Sequence, residues 1–529
     1  MKNLILSISS LNLVLNENKI ITFLKLIAAI SIMNLFMVSY SNAQTGYYTL
    51  NGGTASFTGQ TYNATTAGQS AIYVINSGNL TLTNCIIVKS GNASSVDSSS
   101  QWGINAGVLA RLAGIIVISG GTVTTTANGG NGLFATGSNS KITMSNGTIS
   151  ANGSGAHGVD VTYTGTIILN NVNVTTSGAN SSVLATDFGG GTVTVTGGTI
   201  IAADTVDGSH SAGIYSTGVI TVTNATVKSL GDCGGVIDGA NSIILNNTSL
   251  FGKTEGIKTW RTAPSSGTAY VTITGGSLTV TAGDGFYVTG GAVTVFTVSG
   301  GTTFSIASGK IINVLSASTA TLNLNGENVS GNLRCESSST LCVSLTNGTT
   351  LTGDARYTAL TMDSTSVWIV TANSILTTFS DAAKISGLNV LNIVGNGYNV
   401  HYDSTLSANS YLHGYTYNLV NGGYLTHAAV SVGISEINSE IPSGYLLSQN
   451  YPNPFNPSTK IIFTLPKSGN VSLEIYNSLG AKIETLVNGK LNFGSYAYEF
   501  NAAKYASGIY FYRLTTDGYV STKKMVFIK

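Results

Sequence analysis

Short stretches of alternating apolar and polar residues recur along the middle of the chain. In "LTLTN", "ITMSN", "VTVTG" and "FTVSG" the first and third residues are apolar, and the second and fourth are Thr, Ser or another small polar residue. Alternation with a period of two is typical of a β-strand that buries one face. Each stretch therefore predicts a strand whose apolar residues point toward a core.

Each of these stretches ends in Asn or Gly, the residues that most readily adopt positive φ. A sharp bend is therefore predicted at the same place in every repeat. The bend positions are Asn84, Gly120, Asn146, Asn171, Gly197, Asn224, Asn247, Gly275, Gly300 and Gly326. From Gly120 onward they are 23 to 28 residues apart, and a period of that length indicates a repeat architecture.

A second strand precedes each bend-forming strand, and a third short strand follows the bend, as in "GTISA". The inward column of the preceding strand is predicted to be Leu133, Val159, Ile214, Val236, Ile257 and Phe286. Three strands per coil, with no helical period, predict an all-β parallel β-helix over residues 44–430. A β-sandwich would need hairpin loops and would not keep a fixed period.

The chain changes character near its C-terminus, where five of its six prolines lie within the last ninety residues. A polar linker over residues 431–444 precedes strand-like runs such as "KIIFTL" and "GIYFYRLTT", and "TTDGYV" carries a hairpin signal. These features predict a small antiparallel β-sandwich over residues 445–529. The prolines of "YPNPFNP" should hold an edge segment extended, with Tyr451 and Phe455 anchoring it.

The N-terminus has the pattern of an export signal. An apolar run of thirteen residues, "LIAAISIMNLFMV", follows Lys19 and Lys25 and precedes "SNAQ". We interpret residues 1–43 as a signal peptide cleaved between Ala43 and Gln44, since the run is short for a membrane-spanning helix. A membrane anchor is the alternative.

Composition excludes several classes of function. Charged residues make up 9% of the chain and the net charge is +1, so no basic surface for nucleic acid is expected. We find no metal-ligand spacing and no nucleotide-binding motif in a suitable context, and we expect no cofactor.

The best candidate for catalytic chemistry is "ADTVDGSH", which places Asp204, Asp207 and His210 in one longer loop. Polysaccharide lyases and hydrolases need clustered carboxylates, or Ca²⁺-binding Asp with an Arg or Lys base, on one exposed strand face. The alternative is a polar turn with Asp-Gly geometry. Because the arginines are scattered and the Asp-Asp and Gly-His-Gly motifs of a polygalacturonase-like enzyme are absent from the sequence, we expect the protein not to be an enzyme.

Two further features of the sequence each allow more than one interpretation. Outward Thr residues such as Thr81, Thr143 and Thr194 should share one face that could bind carbohydrate or a crystal lattice, although Val117 and Ile168 interrupt it. Cys335 and Cys342 flank one loop and could form a disulfide in an exported protein.

The repeats resemble the right-handed parallel β-helices of the pectin-lyase-like and autotransporter-passenger type. The resemblance covers most of residues 47–428 and concerns the fold alone.

The C-terminal region closely resembles the type A sorting domain of the bacterial type IX (Por) secretion system. The matching pieces are "LSQNYPNPFNPSTKI", "VSLEIYNSLGAKIETLV", "ASGIYFYRL" and "KKMVFIK". The motif residues are Tyr451, Pro452, Asn453, Pro454, Phe455, Gly508 and Lys529. The resemblance implies that the secretion machinery is a partner, that export proceeds through the periplasm and outer membrane, and that the cargo is released or attached to surface lipopolysaccharide.

The sequence thus predicts a secreted or surface-displayed β-helix with a structural or adhesive role, with extracellular glycans as possible partners. The alternatives are a polysaccharide-active enzyme and a carbohydrate- or crystal-face-binding protein.

Overall fold

The computed structural model describes residues 3–8, 11–16, 44–93, 95–262, 267–428, 434–438, 442–491 and 493–529. Most of the interpreted signal peptide, including Ala43, lies outside these residues. At the N-terminus, Asn3–Ile8 and Leu11–Asn16 form an antiparallel pair. Within the described ranges, no helix is long and apolar enough to cross a membrane.

The chain divides into two compact units, with the boundary inside the strand Val219–Thr223. Each coil up to the strand Thr303–Ile306 contributes one strand to each of three parallel sheets. The all-β fold and the parallel β-solenoid expected from the repeats are confirmed.

The first unit contains six complete coils and the first strand of the next. Sheet 1 contains Gly46–Asn51, Ser70–Ile75, Val108–Arg111, Leu133–Thr136, Val159–Thr162, Leu184–Asp187 and Ile214–Ser216. Sheet 2 contains Thr54–Thr58, Asn79–Thr83, Ile115–Ser119, Lys141–Ser145, Thr166–Asn170 and Thr192–Thr196. Sheet 3 contains Thr61–Ala64, Ile86–Lys89, Thr122–Thr125, Thr148–Ala151, Asn173–Thr176 and Thr199–Ala202.

The second unit continues the same order of strands. Sheet 1 contains Gly235–Asp238, Ile257–Trp260, Phe286–Val288, Lys310–Val314 and Asn332–Cys335. The second strands are Ser242–Asn246, Ala269–Thr274, Val293–Ser299, Thr319–Asn325, Thr340–Thr346, Arg356–Met362, Ser374–Ser380, Val400–Asp403 and Tyr424–Ala428. The third strands are Thr226–Ser229, Ser249–Gly252, Ser277–Val280, Thr303–Ile306, Asn328–Ser330, Thr350–Gly353, Val367–Val370, Asn389–Val394 and Tyr417–Val420.

The last coils are simpler than the sequence predicted. After Asn332–Cys335 the described chain adds strands to the second and third positions of each coil. Two 3₁₀ turns, Ala382–Lys384 and Ser407–Leu412, and the short strand Ile385–Ser386 fill the connections. Antiparallel pairing of Tyr417–Val420 with Tyr424–Ala428 ends the solenoid.

The bends and the core follow from the repeat. All ten bend positions have φ between 45° and 82°. Side chains of stacked bends bond along the axis, as where Asn171 Nδ2 donates to Asn146 Oδ1 at 3.1 Å. The first and third residues of the alternating stretches, for example Ile142 and Met144, are fully buried.

Two local expectations were wrong. Val236 faces outward in register with Lys258, and Gly235 and Ile237 take the inward positions. A helix also exists, which we call α1 (Val96–Trp102). Ser95 Oγ caps its first turn and Gly103, at φ 68°, ends it. At seven residues, α1 is too short to show a helical period.

The C-terminal region consists of two antiparallel sheets. One contains Ile434–Asn438, Gly494–Asn501, Ser458–Leu465 and Leu446–Leu447, and the other contains Lys482–Leu491, Gly469–Asn477, Gly508–Thr516 and Tyr519–Phe527. Ile434–Asn438 belongs to the predicted linker, yet it pairs with Gly494–Asn501. The β-sheet structure therefore begins earlier than residue 445.

Candidate functional site

The segment at the start of the sorting motif is fixed by buried polar contacts. The Asn450 backbone N–H donates to the Tyr512 hydroxyl at 2.8 Å, and that hydroxyl donates to the Ser448 carbonyl at 2.7 Å. Asn450 Nδ2 donates to Thr459 Oγ1 at 2.9 Å, and Thr459 Oγ1 donates to the Pro452 carbonyl at 2.7 Å. The prolines have no N–H to donate, so side chains supply the donors that hold the segment.

The same segment binds the last strand of the chain. The Phe455 N–H donates to the Val526 carbonyl at 3.0 Å, and the Ile528 N–H donates to the Phe455 carbonyl at 3.1 Å. Asn453 Oδ1 accepts a bond from the Val526 N–H at 2.8 Å. Phe455 is 3% exposed, and its ring centroid lies 5.2 Å from that of Phe527. The first and last parts of the motif therefore form one structural piece.

The other motif residues lie at the surface of this piece. Tyr451 is 82% exposed, so the expectation that it anchors the segment was wrong. Gly508 begins a strand opposite Phe527. The Lys529 N–H donates to Ser507 Oγ at 2.8 Å, which ties down the last residue. Pro452 and Pro454 complete the segment between Tyr451 and Phe455.

The predicted catalytic candidates fall in different units. Asp204 is half-buried in the first unit, where His210 is exposed with φ 54°. Asp207 belongs to the second unit, and its 73% exposed side chain forms an ion pair with Lys253 at 2.5 Å. The Asp207 carboxylate is therefore engaged in a surface ion pair.

The structure shows the state of the cysteines and the position of the outward threonines. All four thiols are free, with Cys335 buried and Cys342 half-buried. In the first unit Thr81, Val117, Thr143, Ile168 and Thr194 are neighbours in one outward column of sheet 2. Val117 and Ile168 therefore break the Thr column, as the sequence indicated.

A column of large polar side chains on the outside of sheet 1 was not predicted from the sequence. In the second unit Lys258, Tyr287, Asn313 and Arg334 are in register on four successive strands. We call these four residues, with the adjacent Trp260, the polar face. Its residues are visible in "GIKTW", "GFYVTG" and "NLRC", where Lys, Tyr and Arg occupy the outward positions.

The groups of the polar face are held in place. Lys258 Nζ lies 5.5 Å from the Trp260 ring centroid, a cation–π arrangement. Asn313 Nδ2 donates to Asp284 Oδ2 at 2.8 Å. Arg334 bonds both oxygens of Asp354, at 2.8 and 3.0 Å. This geometry presents aromatic rings and fixed hydrogen-bonding groups side by side.

Acidic side chains surround the middle of the polar face. Burial raises the pKa of Tyr287, and the carboxylates of Glu255, Asp284 and Glu336 raise it further. The Tyr287 hydroxyl therefore keeps its proton and can donate a hydrogen bond. Trp260 is 37% exposed, which leaves part of its ring open to a ligand.

In the first unit the outward residues of sheet 1 are buried, unlike those of the polar face. Leu109, Phe134 and Asp160 hold the corresponding outward positions of sheet 1 and are fully buried. Helix α1 is attached over this region by Trp102, whose ring stacks on Tyr163 at 4.9 Å. Both carboxylate oxygens of Asp160 are buried.

Among the described residues, no three His, Cys, Asp or Glu side chains are grouped so that they could hold a metal ion.

A known protein family matches the C-terminal part of the chain. A search of curated proteins found no similar sequence. Residues 449–529 match the family described as the secretion system C-terminal sorting domain. This range contains the motif segment, the last strand and both of the residues that join them, Asn453 and Phe455. The C-terminal part of the chain is therefore a C-terminal sorting domain, which implies interaction with the type IX secretion machinery and export to the cell surface or the extracellular space.

Proposed function

We propose that the solenoid is an adhesive cargo that binds an extracellular glycan through the polar face. One observation carries the proposal: Lys258, Tyr287, Asn313 and Arg334 form an unbroken outward column beside Trp260. Outward positions of sheets 2 and 3 are mostly Thr, Ser or Asn. Large aromatic and hydrogen-bonding side chains concentrated in one place are typical of binding sites.

The spacing of the strands suits an extended polymer. Adjacent strands of a sheet are about 4.8 Å apart, so the column offers one large side chain per step along the axis. Sugar rings in an extended chain repeat on a similar scale. Each ring would meet one coil, with Trp260 and Tyr287 contacting ring faces and Asn313 contacting hydroxyl groups.

The test is binding of the mature protein to a glycan array, followed by affinity measurement on the best ligand. Trp260→Ala and Tyr287→Ala should each weaken binding about tenfold or more, since aromatic contacts dominate such sites. Tyr270→Ala is the matched control, because Tyr270 is 53% exposed but lies on sheet 2. Equal losses in all three variants, or no binding by the wild type, would reject the polar face.

We propose that the solenoid is not an enzyme. Asp207 has a partner in Lys253, and none of Asp204, Asp207 and His210 is fully buried. Asp204→Ala and His210→Ala should leave the protein unchanged in assays for new reducing ends and for unsaturated uronates. A polysaccharide-cleaving activity that either variant loses would make this loop an active site.

The route and fate of the chain are also proposals. We propose that residues 1–43 direct the chain to the periplasm, that cleavage leaves Gln44 first, and that the cargo is released or joined to lipopolysaccharide. The signature "LIAAISIMNLFMV" followed by "SNAQ" supports the first step. N-terminal sequencing of the exported protein tests export and cleavage by residues 1–43, and a protein that still begins at residue 1 would contradict cleavage. The intact mass of the exported protein tests whether lipopolysaccharide is attached.

A further inference from the structure

The first coil of the solenoid has strand edges that lack a neighbour on one side. Among the residues that the structure describes, Gly46–Asn51, Thr54–Thr58 and Thr61–Ala64 each pair with one strand, in the second coil. The antiparallel pair Asn3–Ile8 and Leu11–Asn16 forms a separate sheet and does not extend them. An edge strand presents a row of N–H and C=O groups that can bond to another strand. The first coil therefore offers three such rows around one core.

The core beneath these edges is incompletely covered. Tyr48 and Leu50 on the first strand are half-buried, and so are Ala55 and Phe57 on the second. Their neighbours in register on the second coil are fully buried, namely Ile72, Val74, Leu80 and Leu82. The ring centroids of Tyr48 and Phe57 lie 5.2 Å apart, so the incompletely covered surface includes an aromatic pair. The first coil thus lacks the cover that every later coil receives from the one before it.

The sequence of this end carries no protection against pairing with another chain. Residues 44–88 contain no Asp, Glu, Lys, Arg, His or Pro. Exposed edges are commonly protected by charged residues or Pro. The next charged residue, Lys89, is fully buried, and its Nζ donates to the Thr66 carbonyl at 3.1 Å. Two copies of this uncharged surface can therefore meet without repulsion between like charges.

We propose that the first coils of two copies of this chain pair head to head. A partner for this surface must supply three strand edges around an apolar core, and the first coil of a second copy has that arrangement. With two-fold symmetry the same surface serves both copies. The amide ladder can also continue across the interface. Asn51 Oδ1 accepts a bond from Asn76 Nδ2 at 2.8 Å, and the Asn51 amide has N–H groups to donate to an amide of the second copy.

The last coil, in the second unit, presents a different surface. Its described strands, Tyr417–Val420 and Tyr424–Ala428, pair antiparallel with each other. The described chain adds no strand to sheet 1 beyond Asn332–Cys335. A first coil would therefore not find three parallel edges on a last coil. Head-to-head pairing closes at two copies, whereas head-to-tail stacking would continue into filaments.

The inference rests on the proposed cleavage before Gln44, since residues 1–43 would otherwise precede the first coil. The test is sedimentation equilibrium of the exported protein at micromolar concentrations, after its N-terminus has been sequenced. We expect the mass of two copies, falling toward that of one copy on dilution. A protein that starts at residue 1 would contradict both cleavage and pairing, whereas a monomer that starts at Gln44 would contradict pairing alone.

A pair of lysine variants locates the interface. Ala55 faces inward at the open end, so the side chain of Ala55→Lys can reach solvent in the monomer but brings a charge into the interface of the pair. This variant should weaken the dimer about a hundredfold or more, since an unpaired buried charge is costly. Ser56→Lys is the matched control, because Ser56 faces outward on the same strand, and it should keep the dimer. An undiminished dimer in folded Ala55→Lys, or an equal loss in Ser56→Lys, would overturn the proposal.

Hydrogen exchange of the wild type guards against a variant that fails to fold. Backbone amides of Gly46–Asn51 and Thr54–Thr58 should exchange faster once dilution has separated the copies, while those of Ile115–Ser119, which has neighbours on both sides, should not change. Exchange in the first coil that does not depend on concentration would overturn the proposal. Assemblies larger than two copies would also contradict it, because a head-to-head pair is closed.

Discussion

At the residue scale, the bend after each alternating strand is the feature that sets the repeat. Asn or Gly recurs there because the backbone has positive φ, which other residues adopt at a cost. This feature could be predicted from the sequence, since the identity of one residue type reports one backbone conformation. Val236 could not be placed correctly, because Gly235 carries no side chain to mark the inward position.

Gly197, at φ 69°, tests the bend directly. Gly197→Val should lower the free energy of unfolding by ~1–3 kcal/mol, because a β-branched residue is strained at positive φ. Gly197→Asn should cost less, since Asn171 and Asn224 hold equivalent positions at φ 53° and 51°. Chemical denaturation measures both. Similar losses in the two variants, or in Thr196→Val, would contradict the assigned register.

Asp160 predicts a pH dependence. Burial raises its pKa well above the usual value, and the charge of Asp187 adds to the rise. The stability that Asp160 contributes is therefore fully present below its unfolded-state pKa, about 3.9, and is lost as pH rises through the folded-state pKa. Asp160→Asn stays neutral, so its midpoint should fall less between pH 4 and pH 8 than that of the wild type.

The control for that prediction is Asp187→Asn, which removes the second cause of the shift but leaves the buried carboxyl group. It should flatten the pH profile less than Asp160→Asn does. Parallel pH profiles for the wild type and Asp160→Asn would show that Asp160 is not buried as a neutral acid.

At the element scale, strands and helix differ in how well the sequence specifies them. The strands repeat, so many weak signals reinforce one another, whereas α1 occurs once and owes its position to tertiary contacts of Trp102 with Tyr163. The polar face is also an element-scale feature. Its residues are far apart in the sequence and become neighbours only because the register of the parallel strands aligns them. The residue spacing within any single motif does not reveal this alignment.

The motif segment of the sorting domain makes a contrasting pair of predictions. Phe455→Ala should destabilise the sorting domain by ~3–5 kcal/mol, because it removes a buried aromatic ring that contacts Phe527. Tyr451→Ala should change stability by less than about 0.5 kcal/mol, since the ring is exposed. Limited proteolysis of the full chain measures the difference. Comparable protease sensitivity of the two variants would contradict the packing described for Phe455.

At the scale of the whole molecule, the chain combines a repetitive cargo with a sorting domain of different character. Sequence alone identified the sorting domain, because four separated pieces occur in order. The structure joins the first piece to the last through a hydrogen bond between Phe455 and Val526. The ligand of the solenoid could not be identified in the same way. Repeats specify the shape of the outward faces, but the few residues that depart from the repeat determine what those faces bind.

The division into cargo and sorting domain is the central claim, and export of a truncated chain tests it most directly. The truncation should end at Ala428, because Ile434–Asn438 pairs with the sorting domain. In a bacterium with type IX machinery, the account predicts that residues 1–428 fold but stay in the cell, while the full chain reaches the surface or medium. Cell fractionation with an antibody against the solenoid measures this. Surface exposure of the truncated chain, or its degradation as an unfolded protein, would contradict the claim.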